Sequence, residues 1–456
     1  MGAKYEIPQT IPAEFVDRTV CVGAQVGYYR LELGGVVSFE GRLDEARLKR
    51  AVRLLLDAEP VLGCRFVADA VPPTFVRVED ADLPQLLDVR DSEDPAADAA
   101  AFIAEPLDPA VGPQVRSMLL RGPSADTLAV RLGHLAADGG ALKETLYLLG
   151  GIYRRLAEEP GFTPVPNVDG VRAPMVKAGL FEKLGSLSGS DLKTPQFDPR
   201  WYVPLQGGRG PASYVGASTA PDVFRSALDL AKQAGATAND VILTALYRTL
   251  YRLSGVAPGA QTPLMFTCDL RRHLPTGTKT AVANISSASW ITVVPAEDEG
   301  FDGTLGRVVE ATQAWKRSGA GRGSAIGIPI IHKMTRRKGL DSVRKMMAPK
   351  AEADPGRGAV VLTNIGVIDA DRLGFGAETA VSDAWLFAPV SPMGAGLAAS
   401  TYRDRLHLTA GVEFASMSED TVNEVISGTA NEIETWVASR VGSRQSGVLA
   451  GPLAAS

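Results

Sequence analysis

The chain has 456 residues, 45% hydrophobic and 22% charged, with a formal net charge of −5. That length exceeds one ordinary domain and suits two lobes of roughly 200 residues, each large enough to bury a core. The acidic balance argues against nucleic-acid binding, which needs a basic surface. Cys21, Cys64 and Cys268 are odd in number and share no ligand-like spacing, so neither a disulfide framework nor a metal site is expected.

No apolar run approaches the roughly 20 residues that span a bilayer, so membrane insertion is not expected. The start reaches Pro8 without the apolar core of a secretory leader. The expected location is the cytoplasm.

Alternation at Leu31 to Leu33 and from Val36 to Phe39 predicts strands. Leu48, Ala51, Val52 and Leu55 then fall at helical spacing within a helix from about Leu43 to Ala58. Thr127 to Leu132 reads as a strand. After it, Leu142, Leu146, Leu149, Ile152 and Tyr153 lie on one side of a helix running from Gly140 to Leu156. From Glu159 to Pro211 the periodicity fades into proline, glycine and serine, which marks a linker between lobes. Beyond it, Thr237 and Asp240 can cap a helix whose apolar stripe is Ile242, Ala245, Leu246, Thr249 and Leu253. Leu406 to Phe414 is strand-like, a terminal helix runs from about Ser418 to Val441, and the residues from Gly442 onward are expected to fray.

The most informative stretch lies where the strand ending at Leu132 gives way to a helix. It reads Gly133, His134, Leu135, Ala136, Ala137, Asp138, Gly139, Gly140, and His134 is one of only four histidines. A neutral imidazole takes a proton from a hydroxyl or amine near neutral pH, because its unperturbed pKa is about 6.5. Asp138 can support the histidine, pair with a distant arginine, or cap the following helix, while Gly139 and Gly140 allow a tight turn or close approach of a ligand. On these residues alone, a histidine satisfied by backbone groups remains the alternative.

This segment resembles the His-His-x-x-x-Asp-Gly motif of the condensation-domain and CoA-dependent acyltransferase superfamily, with Gly133 in place of the first histidine. Three further stretches resemble the same superfamily in the same order: Thr237 to Leu250, Cys268 to Pro275, and Val360 to Gly366. The last two are similar to its alcohol acetyltransferase-like and polyketide-associated branches. The resemblance implies an α/β protein of two chloramphenicol-acetyltransferase-like lobes, arranged as a pseudo-dimer with a central tunnel. The N-terminal lobe would be 1–160, the linker 161–211 and the C-terminal lobe 212–456.

For function, the resemblance implies transfer of an acyl group from a thioester to a hydroxyl or amine of a small-molecule acceptor. His134 would be the base, Asp138 and Gly139 its motif partners, and Arg271 the salt-bridge partner of Asp138. Asn364 and Ser400 are candidate oxyanion or tunnel residues. No tightly bound cofactor is implied; the co-substrate would be acyl-CoA or a phosphopantetheine thioester on a carrier protein. Cyclisation or amide formation on a carrier-bound chain is the alternative reaction, and a catalytically silent carrier-docking scaffold is the alternative from another class.

Between Lys333 and Lys350 lie seven basic residues, among them Arg336, Arg337 and Lys338, with Asp341 the sole acid. This run is either a solvated helical face or an attractor for an anionic donor. Gly394 to Ala399 looks like half a dinucleotide fingerprint, but Pro389 and Pro392 precede it and a turn into a strand follows, so the required context is missing. His273, His332 and His407 lack ligand-spaced partners, and His407 is expected to be a core or edge residue of its strand.

Overall fold

A computed structural model describes residues 6–172, 201–294, 296–317, 340–347 and 356–448. In the first half the chain forms β1 (Thr10–Pro12), α1 (Phe15–Gln25), β2 (Glu32–Phe39), α2 (Glu45–Ala58), β3 (Cys64–Val67), β4 (Thr74–Arg77), β5 (Leu87–Asp91), α3 (Pro95–Ala104), β6 (Val115–Arg121), β7 (Asp126–Gly133) and α4 (Gly139–Glu158). The second half adds β8 (Val203–Pro204), β9 (Ala212–Ser218), α5 (Pro221–Gln233), α6 (Ala238–Ser254), β10 (Thr262–Asp269), β11 (Ser286–Val293), α7 (Phe301–Arg317), α8 (Asp341–Met347), β12 (Arg357–Val367), β13 (Val381–Phe387), β14 (Gly394–Tyr402), β15 (Arg405–Glu413) and α9 (Glu419–Val448).

Local chemistry sets the key boundaries. Asp44 starts α2 by accepting the Arg47 N–H at 2.8 Å. Thr237 and Asp240 form a reciprocal capping box on α6, which ends at Gly255 in the left-handed region. The second oxygen of Asp240 accepts the Thr312 hydroxyl at 2.7 Å, so the same carboxylate also fastens α7.

Two sheets organise the molecule. The first has the order β13-β2-β7-β6-β5, with β7 buried along its whole length. Val36, Met118, Leu120 and Ala129 pack one face against Ala99, Phe102 and Ile103 of α3. Its other face joins the core that holds α2 and α4. The second sheet runs β11-β10-β12-β14-β15-β9, with β8 on β12, and its core includes α5, α6, α7 and α9.

The division of the chain drawn from sequence places 212–456 in one lobe. Strand β13 departs from that division, because Val381–Phe387 pairs antiparallel with β2 at the edge of the first sheet. Linker residues at both ends of 161–211 are docked: Asn167 donates to Glu59 at 2.6 Å, and β8 pairs with Arg357 and Gly358. The terminal helix continues past Val441 to Val448.

A buried carboxylate also joins the halves. Glu413 ends β15 with its side chain fully enclosed, taking Arg30 from the first half at 2.9 Å, Arg209 at 2.9 Å and the Gly210 N–H at 3.1 Å. Burial acts to raise its pKa, but the Gly210 N–H and the two guanidinium groups outweigh burial and hold it below the usual carboxylate range. A depressed folded-state pKa stabilises the fold above the unfolded value and loses that contribution as pH falls through the folded value. Glu413→Gln is therefore expected to cost about 2 kcal/mol in urea unfolding at neutral pH. The gap from the unaltered chain should narrow as pH falls below the ordinary glutamate value of about 4.3.

Candidate functional site

The His134 corner follows from the way β7 ends. The Gly133 N–H donates to the Gln114 carbonyl at 2.9 Å, the His134 N–H donates to the Leu31 carbonyl at 2.6 Å, and the chain then turns into α4. A Cβ on Gly133 would collide with Gln114 Oε1, so a side chain there would require the Gln114 side chain to move. Gln114 therefore fills the space beside Gly133.

The imidazole of His134 is partly buried, with Tyr29 tilted against it at 5.7 Å between ring centroids. Nδ1 lies 2.8 Å from the Ala137 carbonyl oxygen. A carbonyl only accepts, so Nδ1 carries the proton and Nε2 bears the lone pair. Burial lowers the pKa of His134, against the smaller opposing effects of the Ala137 carbonyl, Asp138 and Asp17. The ring is neutral at neutral pH, which is the state a general base needs.

Asp138 faces elsewhere. One oxygen caps α4 by accepting the Ala141 N–H at 2.9 Å and lies 3.0 Å from Arg271; the other accepts the Ile285 N–H at 2.6 Å and Arg271 at 3.1 Å. The carboxylate thus binds residues of the second half to the corner. Gly140 faces the same guanidinium, where a Cβ would lie 2.7 Å from Arg271 Nη1, and a Cβ on Gly139 would press on Ile365 at 3.0 Å. A side chain at either position would require Ile365 or Arg271 of the second half to shift.

The remaining residues singled out from sequence lie in different places. Asn364 is half-buried on β12, its amide donating to Asn239 at 3.2 Å and its oxygen accepting the Gly366 N–H at 3.0 Å. Ser400 is buried in β14 and accepts the Leu386 N–H at 3.3 Å, which ties it to the first sheet. Arg336, Arg337 and Lys338 lie outside the described residues. Of the same basic run, Arg344 is exposed on α8 and contacts Asp341 at 2.6 Å and Gln25 at 2.8 Å.

Asn284 escaped sequence reasoning. Its amide nitrogen lies 2.8 Å from the His134 carbonyl oxygen, 3.0 Å from that of Leu135 and 3.2 Å from Asp17. Lys143 was missed too; it crosses to the Ile365 and Val367 carbonyls at 3.0 and 3.1 Å. No local pattern marks either residue, because each works through partners more than a hundred positions away. Among the described residues, no cluster of histidine, cysteine and acidic side chains could hold a metal ion.

Replacing Asp138 tests this arrangement. Asp138→Asn keeps the cap but presents an amide to Arg271 and the Ile285 N–H, and is expected to cost about 3 kcal/mol, the scale of a broken buried pair. Urea unfolding should show that loss alongside reduced turnover. Lost turnover at full stability would instead make Asp138 a group that touches the reactants.

No protein-family model and no curated protein matches this sequence. Solved structures do. The first condensation domain of the calcium-dependent antibiotic synthetase superposes with a TM-score of 0.68 at 16% identity, covering 95% of this chain and 97% of that one. Polyketide synthase associated protein 5 from Mycobacterium tuberculosis gives 0.65 at 16%, with coverage of 94% and 100%. The TRI3 trichothecene 15-O-acetyltransferase from Fusarium sporotrichioides gives 0.69 at 12%, with coverage of 95% and 97%. The chain shares the α/β fold of these condensation and acetyltransferase domains.

Proposed function

We propose that this protein is an acyltransferase that moves an acyl group from a thioester to a hydroxyl or amine, with His134 as the general base. The observation that carries the proposal is the fixed tautomer: Nδ1 is committed to the Ala137 carbonyl, leaving Nε2 as the proton acceptor. Two of the similar structures are named for condensation and O-acetyl transfer, which supports acyl chemistry.

His134 Nε2 takes the acceptor's proton as its oxygen or nitrogen attacks the thioester carbonyl. The tetrahedral oxyanion then collapses, expelling the thiolate, which recovers the proton from the imidazolium. No covalent acyl-enzyme is needed, because a positioned base and oriented reactants supply the rate. Donors proposed for the oxyanion are the first-turn N–H groups of α4 at Gly139 and Gly140, free of intrahelical partners by their position, and the Asn364 amide. Asp138 acts as a positioning residue through Arg271 and Ile285.

The donor proposed is acyl-CoA or a carrier-protein thioester. The names of the similar structures, a synthetase domain and a polyketide synthase associated protein, favour a carrier. The basic run around Arg336, Arg337 and Lys338 suits either polyanion, since long-range attraction raises encounter rates even where single surface contacts contribute little.

His134→Ala is expected to lower acyl transfer at least about a hundredfold while the protein stays folded. Because burial lowers the His134 pKa, the acid limb of kcat/KM should lie below 6.5, with activity rising as pH climbs through it, and this limb should vanish in the variant. A folded His134→Ala chain with normal turnover contradicts the mechanism, and a chain inert toward every thioester and acceptor supports the scaffold reading that Gly133 invites.

Replacing Arg336, Arg337 and Lys338 together with alanine should lower kcat/KM for CoA or carrier-bound donors and flatten its salt dependence. The screening length of about 8 Å at physiological ionic strength sets that dependence. A short uncharged thioester should be unaffected; an equal response from all donors would leave the run a solvated face.

A further inference from the structure

His407 lies in the middle of a three-residue hydrogen-bonded chain remote in sequence from the His134 corner. It sits on β15 directly opposite Ser218 of β9. The Thr219 N–H donates to the Leu406 carbonyl at 3.0 Å, so that pair is the hydrogen-bonded one and Ser218 with His407 forms the adjoining non-bonded pair. Side chains of such pairs approach closest, and here Ser218 Oγ lies 2.7 Å from His407 Nδ1.

The other ring nitrogen, Nε2, lies 2.8 Å from Asp383 Oδ1 on β13 of the first sheet. That oxygen also accepts the Ala384 N–H at 2.9 Å. With Asp383 ionised its oxygens can only accept, so Nε2 carries the proton and Nδ1 presents its lone pair to the Ser218 hydroxyl. Trp385 stacks on the ring at 5.7 Å and 29°, which holds its orientation. His407 is 5% exposed, whereas Ser218 is exposed on the edge strand of its sheet. In a non-bonded pair the backbone N–H points away from the partner strand, so the Ser218 N–H is directed off the open edge.

We propose that Ser218 is a second nucleophile, activated by His407 and oriented through Asp383, that accepts acyl groups from small activated esters. Oγ attacks the carbonyl carbon as its proton passes to His407 Nδ1. The carbon–leaving-group bond breaks, the proton goes to the leaving group, and Ser218 is left as an ester. Water reverses the sequence: His407 takes a proton from it, the acid is released, and the proton returns to Ser218. The outward Ser218 N–H is placed to stabilise the oxyanion formed on its own side chain.

The test uses the full chain with a fluorophosphonate, which bonds phosphorus to Oγ with loss of fluoride, and with p-nitrophenyl acetate. Peptide mass spectrometry should place one adduct on Ser218, absent in Ser218→Ala and retained in His134→Ala, which separates this site from the transfer site. His407→Gln is decisive, because glutamine can donate to Asp383 and accept from Ser218 yet cannot take up a proton. Labelling in that folded variant should fall at least about a hundredfold. An unlabelled Ser218 in the unaltered chain, or equal labelling in His407→Gln, would make the three residues a hydrogen-bonded staple between the sheets and overturn the proposal.

Discussion

The Asp138 carboxylate holds the site together. It is buried, so it must be neutralised and its lone pairs occupied, and it meets both needs with groups from two parts of the chain: the Ala141 N–H beside it, and the Ile285 N–H and Arg271 guanidinium from the second half. The corner carrying His134 is thereby fixed to the second sheet. Gly139 and Gly140 follow as a consequence, since any side chain there would push Ile365 or Arg271 away. Asn284 extends the same attachment by one residue, donating to the carbonyls of His134 and Leu135.

His134 and His407 are each held in one tautomer by an acceptor on one side. For His134 the acceptor is the Ala137 carbonyl and the lone pair is on Nε2; for His407 it is Asp383 and the lone pair on Nδ1 faces the Ser218 hydroxyl. The surroundings differ in a way that matters for chemistry. His134 lies at a corner between the halves of the molecule, whereas His407 addresses a serine on an exposed strand edge. The first arrangement is the one proposed to serve acyl transfer, the second the one proposed to accept an acyl group on the protein itself.

What the sequence made legible was local or ordered along the chain. The capping box at Thr237 and Asp240, the strand into Gly133 and the helix after Asp138 all rest on neighbours within four residues, and the structure contains each of them. The pairing of Asp138 with Arg271 spans 133 positions and was expected only because both segments resemble one superfamily. Strand β13 was not legible as part of the first sheet, since period-two alternation says nothing about which sheet a strand joins. His407 was read as a core or edge residue for the same reason: Ser218 and Asp383 lie 189 and 24 positions away and meet only through strand register.

The protonation state of His134 tests the central claim most directly. Nitrogen NMR of the ¹⁵N-histidine-labelled chain, with the signal assigned by its loss in His134→Ala, reads which ring nitrogen bears the proton and where the ring titrates. The account predicts a neutral ring at pH 7, protonated at Nδ1 and bare at Nε2, titrating below 6.5 together with the acid limb of kcat/KM. A ring protonated at Nε2, or a charged imidazolium at pH 7, would contradict it.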